Sequence, residues 1–136
     1  MATPIIGNPL GYFHYSVEQA LTVMADLGYD QIEICHAQIQ DYKTADLRRQ
    51  LAQYIETLGM RLVGSNVADA AYFQALGSDQ DVKIAAAGLK HDLDLADDLG
   101  AQYLSTFEGR VPAGASSQDI FGQVLDKTVN LFKQVT

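Results

Sequence analysis

The chain has 136 residues, 48% of them hydrophobic and 19% charged, which is enough for one core and ordinary for a globular domain. Seventeen acidic against nine basic residues leave a net charge of −8, with no face rich in Lys or Arg, which argues against nucleic acid as partner. The single cysteine excludes an internal disulfide and a multi-cysteine zinc site, and the start MATPIIGNPLGYF carries neither a basic leader nor a long apolar run, so no membrane span and a cytoplasmic location are expected.

In chain order, Pro4 to Gly7 is predicted as a short first strand, followed by a loop from Asn8 to Tyr15. Tyr12, Phe13, His14 and Tyr15 place four rings in succession there, as a pocket wall or as a cover over one end of the fold. Ser16 with Gln19 three residues on is a capping box. Val17, Ala20, Leu21, Met24 and Leu27 then share one helical face. Gly28 ends that helix in the left-handed conformation glycine adopts readily, with Leu27 expected at the last core position. In the strand that follows, Ile32 and Ile34 point one way and Glu33 and Cys35 the other. Cys35 is expected as a buried thiol.

After a polar stretch, Thr44 caps a second helix with Leu47, Leu51, Tyr54, Ile55 and Leu58 along one side; Arg48, Arg49 and Glu56 read as its solvated face. Leu58-Gly59 leads into the strand Met60 to Asn66, whose end, Gly64-Ser65-Asn66, is small and polar as suits a strand opening into a cleft. Val67 to Gly77 is a longer excursion carrying Tyr72 and Phe73. Ser78 caps a third helix with Asp79 and Asp81 in its first turn, where the helix dipole favours acids. Val82, Ala85, Ala86, Leu89, Leu93 and Ala96 are expected to face the core, and His91 the solvent. Leu99-Gly100 precedes a strand from Gln102 to Glu108, then a Gly, Pro and Ser loop, then a last helix with Phe121, Val124, Leu125, Thr128, Leu131, Phe132 and Val135 on its apolar face.

Strands alternating with helices predict an α/β fold with a parallel sheet. A doubly wound dinucleotide binder is disfavoured: no G-x-G-x-x-G occurs, and Glu33, Ser65, Asn66, Ser105 and Glu108 interrupt the strands. A G-x-S-x-G elbow and a Walker loop are absent too. Polar groups at strand ends suit a barrel whose chemistry sits at the C-terminal ends of its strands.

The phrases SVEQALTVMADLGYDQIEI, LGMRLVGSN and LKHDLDLADDLGAQYLSTFEG resemble the N-terminal half of the sugar phosphate isomerase/epimerase superfamily, the xylose isomerase-like barrels. The resemblance implies parallel (β/α) units of a TIM-type barrel, about four of the eight, over residues 1–136 as a single domain. It implies an isomerase or epimerase of a sugar or cyclitol that moves a proton next to a carbonyl and uses a divalent metal such as Mn, Mg, Zn or Co when complete. Family members that bind metal draw their ligands mainly from later strands, so no ligand set is carried onto this sequence, and the chain alone is expected to be inactive. Family members often carry His where Asn66 stands, and His or a small residue followed by Gly where Glu108 stands.

The candidate catalytic residues are Glu33, His36 and Glu108, with Asn66 and His14 as substrate-binding candidates. An inward carboxylate such as Glu33 must be paired, hydrogen-bonded or shifted in pKa. His36 follows at the end of the same strand, Glu108 lies at the end of its strand, and His14 sits in a loop able to close over a sugar. Two acids, two imidazoles and an amide at one rim suit proton transfer beside a carbonyl. A different class of function is a binding or assembly module: a half-barrel leaves its first and last strands unpaired, and such edges recruit a second copy or a complementary C-terminal half.

Overall fold

The computed structural model describes residues 5–67, 78–106 and 126–135. Strands β1 (Ile6–Gly7), β2 (Gln31–Cys35), β3 (Arg61–Asn66) and β4 (Tyr103–Ser105) form one parallel sheet in the order β1-β2-β3-β4. Helices α1 (Val17–Asp26), α2 (Ala45–Thr57) and α3 (Asp79–Asp98) alternate with them, and residues 126–133 form α4. Sheet order equal to chain order means every connection advances by one strand in the same sense, which is how a barrel is built up.

The ends of the elements follow local chemistry. β1 ends at Gly7, as expected, because the Asn8 side chain accepts from the Leu10 N–H at 2.9 Å and starts a 3-10 turn, Pro9–Tyr12, inside the predicted loop; at its start Ile5 is not in the strand and Pro4 lies outside the described residues. Ser16 and Gln19 form the predicted capping box, each side chain bonded to the other's backbone N–H. Ser78 and Asp81 do the same at the start of α3, and the Ser78 donors hold the Asp81 carboxyl below its usual range.

Three helix ends repeat one motif. Gly28, Gly59 and Gly100 have φ of 88°, 76° and 69°. In each, the N–H of the residue after the glycine reaches back to the helix: Tyr29 to the Met24 carbonyl, Met60 to Ile55, Ala101 to Ala96, at 2.9–3.2 Å. The glycine N–H closes the smaller ring, to Ala25, Glu56 and Asp97. This corrects the role expected for Leu27, while Leu99 takes the core position expected of it. Leu27 is 65% exposed and Leu58 half-buried, whereas Leu99 is buried. The apolar contact of this motif belongs to the residues joined by the outer bond, and Met24, Ile55, Met60 and Ala96 are the buried ones.

The described residues fall into two compact units. The first holds residues up to 67 together with Leu93–Ser105, and the second the remainder. The core of the first unit joins Val17, Leu21 and Met24 of α1, Ile32 and Ile34 of β2, Leu51 and Ile55 of α2, Leu62 of β3 and Leu99. Leu47, at the first turn of α2, is exposed instead. Arg48 is not solvated as expected: its guanidinium bonds the Asp98 carboxylate at 2.5 Å and the Tyr42 carbonyl at 3.0 Å, with its side chain only 11% exposed. That pair offsets an acid at the unfavourable C-terminal end of α3. Arg49 is exposed, as predicted.

On α3 the buried stripe is Ala85, Leu89, Asp92, Ala96 and Leu99, so Asp92 takes the place expected for Leu93, which is exposed. The spacing of four, three, four and three follows the helical period more closely than one through Leu93. His91 is exposed, as expected. In the second unit Ala85, Ala86, Leu89 and, on α4, Leu131 are buried.

The Tyr42 hydroxyl donates to the Glu18 carboxylate, tying the loop after β2 to α1. This bond is the main reason the Glu18 carboxyl lies below its ordinary value of 4.5. A depressed carboxyl stabilises the fold fully above that pH and loses its contribution as the pH falls through the lowered folded value. Tyr42→Phe should therefore reduce stability at neutral pH and leave it nearly unchanged in strong acid. Urea melts of both proteins across that range check this; an equal gap at both ends would contradict it.

Candidate functional site

Three adjacent strands each place one polar side chain on the same face of the sheet: Glu33 from β2, Asn66 from β3 and Tyr103 from β4. The Asn66 Nδ2 donates to Glu33 Oε1 at 2.8 Å, and the Tyr103 hydroxyl to Glu33 Oε2 at 3.4 Å. The carboxylate thus has one donor on each oxygen, and each oxygen keeps a lone pair.

The meeting depends on an irregularity. Ile32 pairs with Leu62, but Glu33 pairs with Gly64, so Val63 is an extra residue on β3. Paired residues of a parallel sheet share a face, so without that bulge Asn66 would fall on the face of Ile34. With it, Asn66 pairs with Cys35 and joins Glu33. The same shift sets Ser65 opposite Ile34, wholly buried on the other face. Of the small polar strand end, Ser65 therefore does not open into a cleft.

Gly64 completes the arrangement. A Cβ built there would stand 2.2 Å from Tyr103 Cζ and 2.3 Å from Cε2, so the tyrosine ring lies across β3 over the space the glycine leaves. Burial, the Glu33 charge and the hydrogen bond to Glu33 together push the Tyr103 phenol above its usual value, so near neutral pH it is a neutral donor. Tyr103 is 40% exposed and Glu33 and Asn66 are partly exposed, which leaves this face open to a solute.

The other sequence candidates lie apart or outside. His36 is buried, 3% exposed, at the start of a 3-10 turn, His36–Gln38. His14 is exposed, and the nearby Tyr12 and Tyr15 stack edge to face with centroids 6.2 Å apart. Gln38 Nε2 donates to the Pro9 carbonyl at 2.8 Å and joins the loops after β1 and β2. Glu108, Tyr72 and Phe73 lie outside the described residues. Cys35 is buried, its Sγ 3.9 Å from the Val67 carbonyl oxygen. Tyr103 was missed in the sequence because its ring crosses β3 to reach Glu33, and only the glycine at 64 hints at a large neighbour.

Among the described residues no three His, Cys, Asp or Glu side chains gather to hold a metal. Glu33 offers one carboxylate with an amide and a phenol, so these residues do not by themselves fit a divalent cation. No described helix is long and apolar enough to cross a membrane.

Solved structures share this architecture. A xylose isomerase-like TIM barrel/4-hydroxyphenylpyruvate dioxygenase fusion protein superposes with a TM-score of 0.63 at 20% identity, over 89% of this chain and 18% of its own. D-psicose 3-epimerase from Clostridium cellulolyticum H10, solved with D-tagatose, gives 0.66 at 16% identity over 89% of this chain and 43% of its own. A D-psicose 3-epimerase solved in the presence of D-fructose gives 0.66 at 12% identity, over 99% of this chain and 48% of its own. The chain has the fold of half a xylose isomerase-like TIM barrel. It spans less than half the length of each of these proteins, and at these identities the likeness is one of fold. Neither a protein-family model nor a curated protein sequence matches it.

Proposed function

We propose that this half-barrel carries the substrate end of an enzyme that isomerises or epimerises a sugar or cyclitol by proton transfer next to a carbonyl, and that it needs the remaining strands to be active. The observation that carries the reading is the Glu33, Asn66 and Tyr103 row across three neighbouring parallel strands on an exposed sheet face. Barrels of this fold place their active sites at the C-terminal ends of the strands, where Asn66 closes β3, and the similar solved structures include D-psicose 3-epimerases.

In this reading the Glu33 carboxylate takes the proton from the carbon beside the carbonyl. The C–H electron pair moves into the new carbon–carbon double bond, and the carbonyl pair moves to its oxygen, giving an enediolate. Delivery of a proton to the other face of the same carbon, from a second acid that the remaining strands would supply, gives the epimer; return of the proton by Glu33 to the former carbonyl carbon, with the hydroxyl proton passing to the other oxygen, gives the isomer. Asn66 holds the carboxylate in place, and Tyr103, neutral at working pH, turns its single O–H from Glu33 to the developing oxyanion as the carboxylate takes up the proton. His14, exposed, is assigned to contact with sugar hydroxyls, and Glu108, outside the described residues, keeps the catalytic role the sequence suggests for it. His36, buried, acts by shaping the wall. A divalent metal, in this reading, comes with ligands from other strands.

The test is a titration of isotope-labelled chain with D-fructose followed by NMR. The Asn66 side-chain amide and the Tyr103 ring should shift together, while Arg49 on the outside of α2 stays still. Shifts confined to the helix layer, or none at any sugar concentration, would overturn the reading.

A second reading rests on the sheet edges. Among the described residues β1 is bonded to β2 alone and β4 to β3 alone, and Ile5 and Ile6 at the first edge are 71% and 43% exposed. Such edges suit pairing with a second copy or with a complementary half-barrel.

A further inference from the structure

A cavity of about 660 Å³ lies in the first unit between the start of α1, the loop after β2 and α2. Its volume falls within the range of small-molecule sites. Glu33, Asn66 and Tyr103 are not on its walls. Three tyrosines, Tyr15, Tyr42 and Tyr54, line it with two carboxylates, Glu18 and Asp41, and among the described residues no Lys, Arg or His does.

The walls are held in place before anything binds. The Tyr42 hydroxyl donates to Glu18, and the Tyr54 hydroxyl shares a 2.9 Å hydrogen bond with Thr22. Arg48, a cation close by in sequence, is committed to Asp98 and to the Tyr42 carbonyl. Glu18 remains ionised, since the Tyr42 hydroxyl holds its carboxyl below the usual range. Two carboxylates line a concavity with no cationic side chain among the described residues, and the rings beside them have electron-rich faces. A chain of net charge −8 attracts cations to this surface and repels anions.

We infer that this cavity binds an organic ammonium ion, a short alkylamine or diamine, with Glu18 and Asp41 meeting its N–H groups and the tyrosine rings covering its carbon chain. An ammonium supplies both the charge and the donors that the acceptors here lack, which a neutral polyol supplies only in part. Pre-formed walls keep the ordering cost of binding low.

The test uses the whole 136-residue chain and isothermal titration calorimetry with 1,4-diaminobutane, with 1,4-butanediol as the neutral isostere. One diamine per chain should bind saturably, the diol should not, and added NaCl should weaken binding. Asp41→Asn should weaken it about tenfold, the loss expected for one charged hydrogen bond. Tyr15→Leu should weaken it about threefold through the lost ring face. Asp94→Asn, a carboxylate on α3 away from the cavity, should leave it unchanged. Both cavity substitutions are at exposed positions, and circular dichroism confirms that the variants fold. Equal binding of diol and diamine, equal losses in Asp41→Asn and Asp94→Asn, or no saturable heat with diamine would each overturn the assignment. Because none of these residues touches Glu33, its failure would leave the sugar reading standing.

Discussion

Gly64→Val should expel the Tyr103 ring from its place over β3, lower the stability by about 1–3 kcal/mol and break the hydrogen bond to Glu33. The first added carbon alone would stand 2.2 Å from Cζ and 2.7 Å from the Tyr103 oxygen, distances no relaxation of the strand absorbs. Tyr103 lies at the sheet edge and is 40% exposed, so the ring has room to leave. Its departure removes two of the causes that raise the phenol, the Glu33 charge and the hydrogen bond, and should let its ionisation fall toward the ordinary value of 10.0. Ring-labelled NMR and urea melts measure the two effects. Adding Tyr103→Ala to Gly64→Val should recover part of the lost stability, a coupling of about 1 kcal/mol between touching residues. Strictly additive losses would show that the ring does not lie over Gly64.

The second large effect concerns Glu33. Joined in one polypeptide to the C-terminal half of a D-psicose 3-epimerase barrel, the chain with Glu33→Gln should exchange the proton beside a ketose carbonyl at least about 100-fold more slowly than the same fusion with Glu33, the usual cost of losing a general base. The amide keeps the size of the carboxylate, so packing against Asn66 and Tyr103 is little changed. Glu33→Asp, which keeps the charge but withdraws it by one methylene, should fall between the two. Exchange that is indifferent to Glu33→Gln would remove the carboxylate from the mechanism.

Much of the fold was legible because local chemistry agrees with the global arrangement. Ser16 with Gln19, the repeated Leu-Gly helix ends and the apolar stripe of α1 announce a helix, turn and strand unit, and that unit recurs. Glu33 was legible as a polar residue on the face opposite Ile32 and Ile34. Its partners were not. Asn66 reaches Glu33 only because Val63 is an extra residue in β3, and neighbouring apolar residues give no sign of which one bulges. The contact of Tyr103 with Glu33 spans 70 residues of sequence and depends on a glycine in the strand between them. Arg48 was misread because a solvated cation and one reaching an acid on the next helix have the same pattern on their own helix. Leu27 and Leu93 were misread because apolar character alone does not tell a core position from the flank of a stripe.

The central claim is that these strands form the substrate end of a sugar barrel and need further strands to work. It is tested most directly by proton NMR of D-fructose in D2O, with a divalent metal present, comparing the chain by itself with the chain joined to the remaining units of a barrel, each sized by light scattering. The account predicts no exchange above the blank from the chain as a monomer, and exchange beside the carbonyl from the completed barrel. Metal-dependent exchange by the monomeric 136-residue chain, or none from a folded, completed barrel, would contradict it.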